Sequence, residues 1–581
     1  MFKKNIIPII FLIIVGFSIY APNLNNRLFW DDDNWIVNNP FVHSWSWNNI
    51  KFLFSNDSLS GIGLHSNYFR PFLFLTFTAD YSVSGTKPLI YHLVSNIIHI
   101  FNAVLIFLII GKFIGKKQIA LTASLLFLIH PLQTEAIAYV SGRGDPLSVF
   151  FMLLALWIFS AFRDKNLFLG YLLSSVSLIF GILSRETAFL FPLYFIIFST
   201  VFLQKDKFLP ALKKSVIAAW PFLALSFVYG ILRLTVWNFQ NTLNFYQQSN
   251  FYTEHLSYRI YTFFHALVVY IKLIFVPLGL HMERDIVVNT AIWQWPVWLG
   301  IAITGFIVYV GFWFYKREQI TNFRIWFFAW GVFFVNLGPT SGIFPINALI
   351  YEHWLYFSLF GFFVLAAFYI DKLIERLAVH SKILIAVFGL LFVGYLVFLS
   401  VQSVRRNIIW GKTEEFYGNI LQYEPKNVRA LNNLAMYYSE RGKNKEAEDL
   451  YWRAVDANNN VPAPYYNLGN ILRDRGDIAG ALELYKKAIE HDSSFVFGYM
   501  NIAAIYAGQG NLTGAIEMLE KVKELKPYDA SVYYNLSLLY LAQKNNDLAI
   551  KNLVAADKLA ERDSEVKAAV DVLMNQLNKK K

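Results

Sequence analysis

Apolar residues along this chain gather in long runs over the first 402 positions and then give way to a mixed, periodic pattern. The runs fall at 6–22, 89–111, 119–131, 147–162, 167–183, 187–203, 215–235, 259–280, 293–315, 325–340, 352–370 and 382–402. Crossing the hydrocarbon core of a bilayer takes about 20 helical residues, so 119–131 is short and the rest are candidate spans. Lys3 and Lys4, then Lys112, Lys116 and Lys117, then Arg163 and Lys165, then Lys205, Lys207, Lys213 and Lys214 share one side if the first seven runs alternate. The positive-inside rule makes that side the cytoplasm. Lys316, Arg317 and Arg324, with Lys372, Arg376 and Lys382, ask for the same side, which strict alternation through every run forbids. One run between 215 and 315 therefore fails to cross. The best candidate is 259–280, which carries Arg259, His265 and Lys272 and reads as re-entrant or interfacial. Eleven crossings then remain, and the carboxyl-terminal region emerges outside.

From Asn427 onward the pattern repeats every 34 residues. Ala447, Ala481, Ala515 and Ala549 fall on one register, Asn433, Asn467, Asn501 and Asn535 on another, and Leu434, Leu468, Ile502 and Leu536 on a third. Gly442, Gly476 and Gly510 mark the turn between two helices, with Lys544 in the last glycine's place. This is the tetratricopeptide pattern, in which small residues let paired helices approach and the stacked pairs form a concave surface. The asparagines are candidates for bonding the backbone of an extended protein partner, and bracing of neighbouring repeats is an equal alternative. The predicted fold is all-α: a polytopic membrane domain over 1–402 with an external loop at 23–88, a linker or leading helix over 403–426, and a repeat solenoid over 427–581 with a capping helix.

Composition sharpens this picture. With 56% hydrophobic and 16% charged residues, and a mean hydropathy of +0.40, a soluble fold could not hide its apolar surface. The net charge of +11 is spread through short loops, as membrane topology requires, so it implies no nucleic-acid groove. Cysteine is absent, which excludes disulfides, a thiol nucleophile and thiolate metal sites. No small-x-small site follows Tyr20, so the first run reads as an uncleaved anchor. A Walker-type loop, an HExxH motif and a readable Ser-His-Asp order are also missing.

The chemistry-bearing residues collect in the loops assigned outside. Just past the first run comes Phe29-Trp30-Asp31-Asp32-Asp33-Asn34-Trp35, three carboxylates at a membrane exit where a lipid headgroup would arrive. Trp45 to Phe54 is amphipathic and suits the membrane surface. Later loops carry His130-Pro131 with Thr134-Glu135, Gly142-Arg143-Gly144-Asp145, Ser184-Arg185-Glu186 and Glu352-His353. Each alone fits a helix-end anchor or a plain turn; their convergence on one face is what suggests a site. Carboxylates near arginines suit transfer of a group from a phosphorylated lipid. A positioned Asp takes the acceptor's proton, and Arg70, Arg143 and Arg185, with His130 as partner, are candidates for the phosphate.

Together with Asn67-Tyr68-Phe69-Arg70-Pro71-Phe72 and Tyr91-His92-Leu93, these motifs and their order resemble the transmembrane-and-TPR-containing O-mannosyltransferases, GT-C class enzymes that use a lipid phosphosugar. The resemblance implies that Asp31 and Asp32 match the acidic motif holding the catalytic base. It implies also that Arg70, His130, Glu135, Arg143 and Glu186 line the donor and acceptor cavity. Asp145, Arg185, Glu352 and His353 join the candidate set from the same loops. The expected partners are a polyprenyl-phosphate-linked sugar, membrane lipid and a protein acceptor held by the repeats. The Lys/Asn/Ile/Phe-rich composition suggests a bacterial cell membrane. No cofactor or metal is expected to be essential, although three successive aspartates are compatible with a hard divalent cation. Two other readings stand beside this one: a non-enzymatic membrane scaffold, and a GT-C transferase acting on a glycan or lipid.

Overall fold

The structure, a computed structural model, describes residues 5–62, 64, 66–239, 251–346, 348–560 and 564–578, so Lys3 and Lys4 lie outside it. Every regular element among the described residues is helical, as the apolar periodicity predicts. The chain divides into two compact units, Met1–Phe416 and Tyr417–Lys581.

In the first unit, nine helices among the described residues are long and apolar enough to cross a membrane, or up to eleven if two bent pairs each count as one span. Those pairs are Lys117–Ile129 with Pro131–Ala138, bent by 52°, and Phe208–Ala218 with Trp220–Leu234, bent by 50°. Each second helix carries a proline at its start, Pro131 as the first residue of one and Pro221 as the second of the other, which has no N–H to continue the preceding turn. The short run at 119–131 is thus one arm of a broken helix.

The helix Leu256–Phe275 passes the same length and composition test, yet both its ends reach loops assigned to one side. Near its start Arg259 Nε donates to the Gly342 carbonyl at 2.7 Å. Near its end Tyr270 donates to the Tyr351 carbonyl at 3.0 Å, and His130 Nε2 meets the Ile274 carbonyl at 3.0 Å. By length and composition it counts among the candidate spans, against the expectation that 259–280 fails to cross.

Within a bilayer, helices associate through close packing and polar contacts rather than by escaping water. At Gly361 a Cβ would stand 2.8 Å from the Ala329 carbonyl, so only glycine lets Ser358–His380 approach Ile320–Leu337 this closely. An asparagine cluster ties the end of the first helix to two others. Asn23 Nδ2 donates to Asn96 Oδ1 at 3.0 Å and to Asn407 Oδ1 at 3.2 Å, and Asn26 Nδ2 to the Asn407 carbonyl at 2.9 Å. The acidic stretch that follows is therefore fixed against Leu89–Ile114 and the last helix, Lys382–Ile409.

The second unit stacks helix pairs: Val428–Ser439 with Asn444–Ala457, Pro462–Asp474 with Ile478–His491, Val496–Gly508 with Leu512–Leu525, and Ala530–Ala542 with Asn546–Leu559. The helix Ser564–Asn578 follows them. Ala447, Ala481, Ala515 and Ala549 are fully buried, as the repeat register requires. Gly442, Gly476 and Gly510 take positive φ at the interhelical turn, and so does Lys544, at 62°.

Candidate active site

The acidic stretch begins with a strained residue. Trp30 has φ of 65°, a region sparsely used by large side chains, and its ring packs on Phe416 while Phe29 packs on Phe416 and Trp410. A short π-helical turn, Asp33–Val37, follows, a form found often near functional sites. Between them Asp31 and Asp32 are held by the turn Val140–Arg143 and the tyrosine before it. Asp32 Oδ1 accepts from the Ser141 N–H at 2.7 Å and from the Ser141 hydroxyl at 2.6 Å, and the residue is 2% exposed. Asp31 Oδ2 accepts from the Tyr139 hydroxyl at 2.5 Å, and Asp31 is only half-buried. Burial pushes the Asp32 carboxyl up to about 7; the Ser141 bonds oppose that shift, and the neighbouring Asp31 charge adds to it.

The arginines form a second group. Arg70 Nε pairs with Glu186 Oε2 at 2.9 Å, and the Phe69 N–H donates to Glu186 Oε1 at 3.0 Å. The Arg70 guanidinium lies 4.5 Å from the Tyr68 ring centroid and 5.7 Å from that of Trp35, which belongs to the acidic stretch. Arg185 Nη1 pairs with Asp145 Oδ2 at 2.7 Å. Asp145 is also within electrostatic reach of His353, Arg70 and Glu135, which joins this group to a third.

The third group is almost wholly buried. His353 Nδ1 stands 2.5 Å from Glu135 Oε1. Arg406 Nη2 reaches Glu352 Oε2 at 2.6 Å and Glu135 Oε2 at 3.4 Å, and Arg284 Nη2 reaches Glu352 Oε1 at 3.3 Å. The His281 N–H also donates to Glu352 Oε1, at 3.2 Å. Burial, reinforced by the Arg284 charge, lowers His281 to about 4. One stretch, 134–145, serves all three groups: Glu135 meets His353, Tyr139 and Ser141 hold the aspartates, and Asp145 holds Arg185.

Of the residues singled out in the sequence, Arg70, Glu135, Asp145, Arg185, Glu186, Glu352 and His353 thus lie in neighbouring charged groups, and Asp31 and Asp32 are tied to them through Tyr139 and Ser141 on the stretch 134–145. Arg143 and His130 do not join them. Arg143 is fully buried, with its donors spent on Asp80 at 2.6 Å, the Ser95 hydroxyl at 3.0 Å, the Thr76 hydroxyl at 3.1 Å and the Tyr91 carbonyl at 2.7 Å. His130 is fully buried too; Nε2 meets Ile274 and Nδ1 accepts from the Leu132 N–H at 3.3 Å, capping the turn after the helix break. Both act as packing braces. Tyr139, Arg284 and Arg406 lie outside the sequence motifs and join these groups only in the fold. An arginine closing the last apolar run was the available signal for Arg406, since such a charge at membrane depth seeks a partner.

The repeat asparagines are half-buried. Asn467 Nδ2 donates to Asn432 Oδ1 at 3.0 Å and Asn501 Nδ2 to Asn470 Oδ1 at 2.8 Å, which is the bracing alternative. Asn433 accepts from its neighbour Asn432 at 3.3 Å, and Asn535 lies on the helix Ala530–Ala542. Asn501 also borders a cavity of about 390 Å³ lined with Arg473, Ala504 and Gln509.

Comparison with known proteins agrees with the motifs. Residues 71–231 match the family profile described as dolichyl-phosphate-mannose-protein mannosyltransferase. Tetratricopeptide profiles match 428–461, 469–510, 498–529 and 530–563. A protein O-mannosyl-transferase of Caenorhabditis elegans is 27% identical over 462 residues, 76% of this chain and 62% of that protein. The protein O-mannosyl-transferase TMTC3 of Mus musculus is 35% identical over 146 residues, 24% of this chain and 15% of the relative. In Drosophila melanogaster a protein O-mannosyl-transferase is 30% identical over 176 residues, 30% of this chain and 20% of the relative. The chain thus spans less than two thirds of the length of each. Over residues 71–231 the chain is similar to a mannosyltransferase family, its later residues match tetratricopeptide repeats, and the relatives it resembles are named protein O-mannosyl-transferases.

Proposed function

We propose that this protein is an integral-membrane glycosyltransferase that moves a hexose such as mannose from a polyprenyl phosphate to a Ser or Thr hydroxyl of a protein. The observation that carries the reading is the stretch 134–145, which holds Asp31 and Asp32 through Tyr139 and Ser141 and also carries Asp145, the partner of Arg185. Asp31 is the more accessible carboxylate and takes the role of general base, while Asp32 is anchored beneath it. Asp31 accepts the acceptor's hydroxyl proton as that oxygen attacks the anomeric carbon. The bond from that carbon to the phosphate oxygen breaks, and the polyprenyl phosphate leaves with the electron pair, its charge met by guanidinium groups. No step is assigned to a divalent cation; activity that EDTA abolishes and magnesium or manganese restores would overturn that assignment.

The direct test is transfer from a polyprenyl-phosphate mannose to a Ser/Thr peptide by the purified full chain, compared with Asp31→Asn. A scaffold would transfer nothing and would be indifferent to the variant. Mass spectrometry of envelope proteins and glycans from a deletion strain separates a protein acceptor, which loses hexose from peptides, from a glycan or lipid acceptor. The site and the repeats are assigned to the external side of a bacterial cell membrane. The lack of native cysteine makes this testable with one introduced cysteine and a membrane-impermeant maleimide; protection in intact cells refutes the assignment.

A further inference from the structure

We propose that the phosphate of the lipid donor is gripped by Arg284 and Arg406, two arginines outside every motif of the sequence. This rests on the transfer reading and adds to it the place of the leaving group. Arg284 comes from the connection between Leu256–Phe275 and Trp295–Lys316, and Arg406 from the last turn of Lys382–Ile409. Glu352 lies between them, 3.3 Å from Arg284 Nη2 and 2.6 Å from Arg406 Nη2, so one carboxylate orients both guanidiniums. That carboxylate is itself fixed by the backbone N–H of His281.

These two differ from Arg70 and Arg143 in the donors they leave unspent. The Nε–H groups of Arg284 and Arg406 are both buried without a hydrogen-bond partner. The Nε of Arg70 is taken by Glu186 and that of Arg143 by Ser95. A guanidinium stays charged at any working pH, and a buried N–H without an acceptor is disfavoured in a native protein. Two guanidiniums from separate elements whose Nη2 groups meet one carboxylate, each with a buried Nε–H left without an acceptor, fit a ligand that brings acceptor oxygens. A phosphodiester supplies those oxygens with the geometry that arginine forks match best. Arg406 Nη2 also reaches Glu135, which lies on the stretch 134–145 whose Tyr139 and Ser141 hold the aspartates.

The test uses the purified full chain in nanodiscs, with farnesyl phosphate as probe, farnesol as uncharged control and inorganic phosphate as headgroup control. The wild type is expected to bind farnesyl phosphate well above farnesol. Weaker binding of inorganic phosphate marks a lipid-linked ligand, and equal binding marks a site for free phosphate. Arg284→Gln is expected to weaken farnesyl phosphate at least about tenfold, since it removes a charged hydrogen-bond donor. Arg284→Lys and Arg406→Lys keep the charge but lose the fork, and each is expected to weaken it about threefold or more. Wild-type affinity in the lysine variants, or equal binding of farnesol, overturns the proposal; should Arg284→Gln fail to fold, the lysine variants decide it. Asp31→Asn keeps the two readings apart: it should abolish transfer while farnesyl phosphate binding persists. Binding through these arginines in a wild type that transfers no sugar would defeat the transfer reading and leave this site standing.

Discussion

The two units spend their polar residues in opposite ways. In the repeats, asparagines that recur with the period bond across to adjacent repeats, Asn467 to Asn432 and Asn501 to Asn470. In the membrane unit, charges scattered over the chain bond to partners far away in sequence: Arg70 to Glu186, Arg143 to Asp80, Arg406 to Glu352 and Glu135. A solenoid is built from nearest-neighbour contacts, so its polar residues are used locally. A membrane bundle cannot leave a charge facing hydrocarbon, so each charge draws in a partner from another loop or helix. Perturbations in the bundle should therefore be large and long-range, and those in the repeats small and local.

The largest effect is expected at Asp31. As general base its loss should cost at least about 100-fold in kcat, so Asp31→Asn should abolish turnover in the peptide transfer assay while thermal stability stays near wild type. Near-full activity in that variant would move the base elsewhere. Next comes Arg143, whose removal leaves Asp80, 3% exposed, as an uncompensated buried charge. Breaking a buried pair from one side costs about 3–5 kcal/mol, so Arg143→Gln should lower the melting temperature sharply, and Arg143→Gln with Asp80→Asn should recover part of it. A raised donor KM at unchanged stability would instead return Arg143 to the pocket.

That contrast also shows how far the sequence could be read. The helical runs, the 34-residue repeat and the left-handed turn positions follow from local pattern and could be read directly. That the acidic stretch, Arg70, Arg185, Glu186 and Glu352 belong to one set of loops is an expectation that rests on the placing of basic residues between apolar runs. Which arginines meet the carboxylates of the site was not legible. Arg143 sits in the more suggestive motif, but Asp80, on the helix Pro71–Ser84, claims it. Arg406, at the end of an apolar run, meets Glu352 only because the chain folds back. The bent pairs that break near Pro131 and Pro221 also extend beyond the apolar runs 119–131 and 215–235, which hydropathy cannot register.

Asp32 gives an intermediate effect, and its sign is fixed by its environment. Its carboxyl is raised from 3.8 to about 7, chiefly by burial. The native state therefore favours the protonated form, and this contribution to stability is full below about pH 4 and is lost as pH rises through 7. The change amounts to about 1 kcal/mol per pH unit across that window. Asp32→Asn, which stays neutral, should melt above the wild type at pH 8 and close to it at pH 4. Parallel melting curves for the two proteins across this range would mean that the carboxylate is hydrated rather than buried.

The smallest effect belongs to the repeats and runs the other way. Lys544 occupies the turn position that glycine fills in the three preceding repeats, and it adopts φ of 62° all the same. A residue with a Cβ in the left-handed region costs about 1–2 kcal/mol. Glycine removes that cost but loses more freedom on folding, by roughly 0.5–1 kcal/mol. Lys544→Gly should therefore stabilise the array by about 0.5–1 kcal/mol, read as a small rise in the urea midpoint of the full chain's repeat transition, with sugar transfer unaltered. A fall in the midpoint would mean that the Lys544 side chain contributes a contact worth more than its backbone strain. The local rule would then fail in the unit where it ought to be most secure.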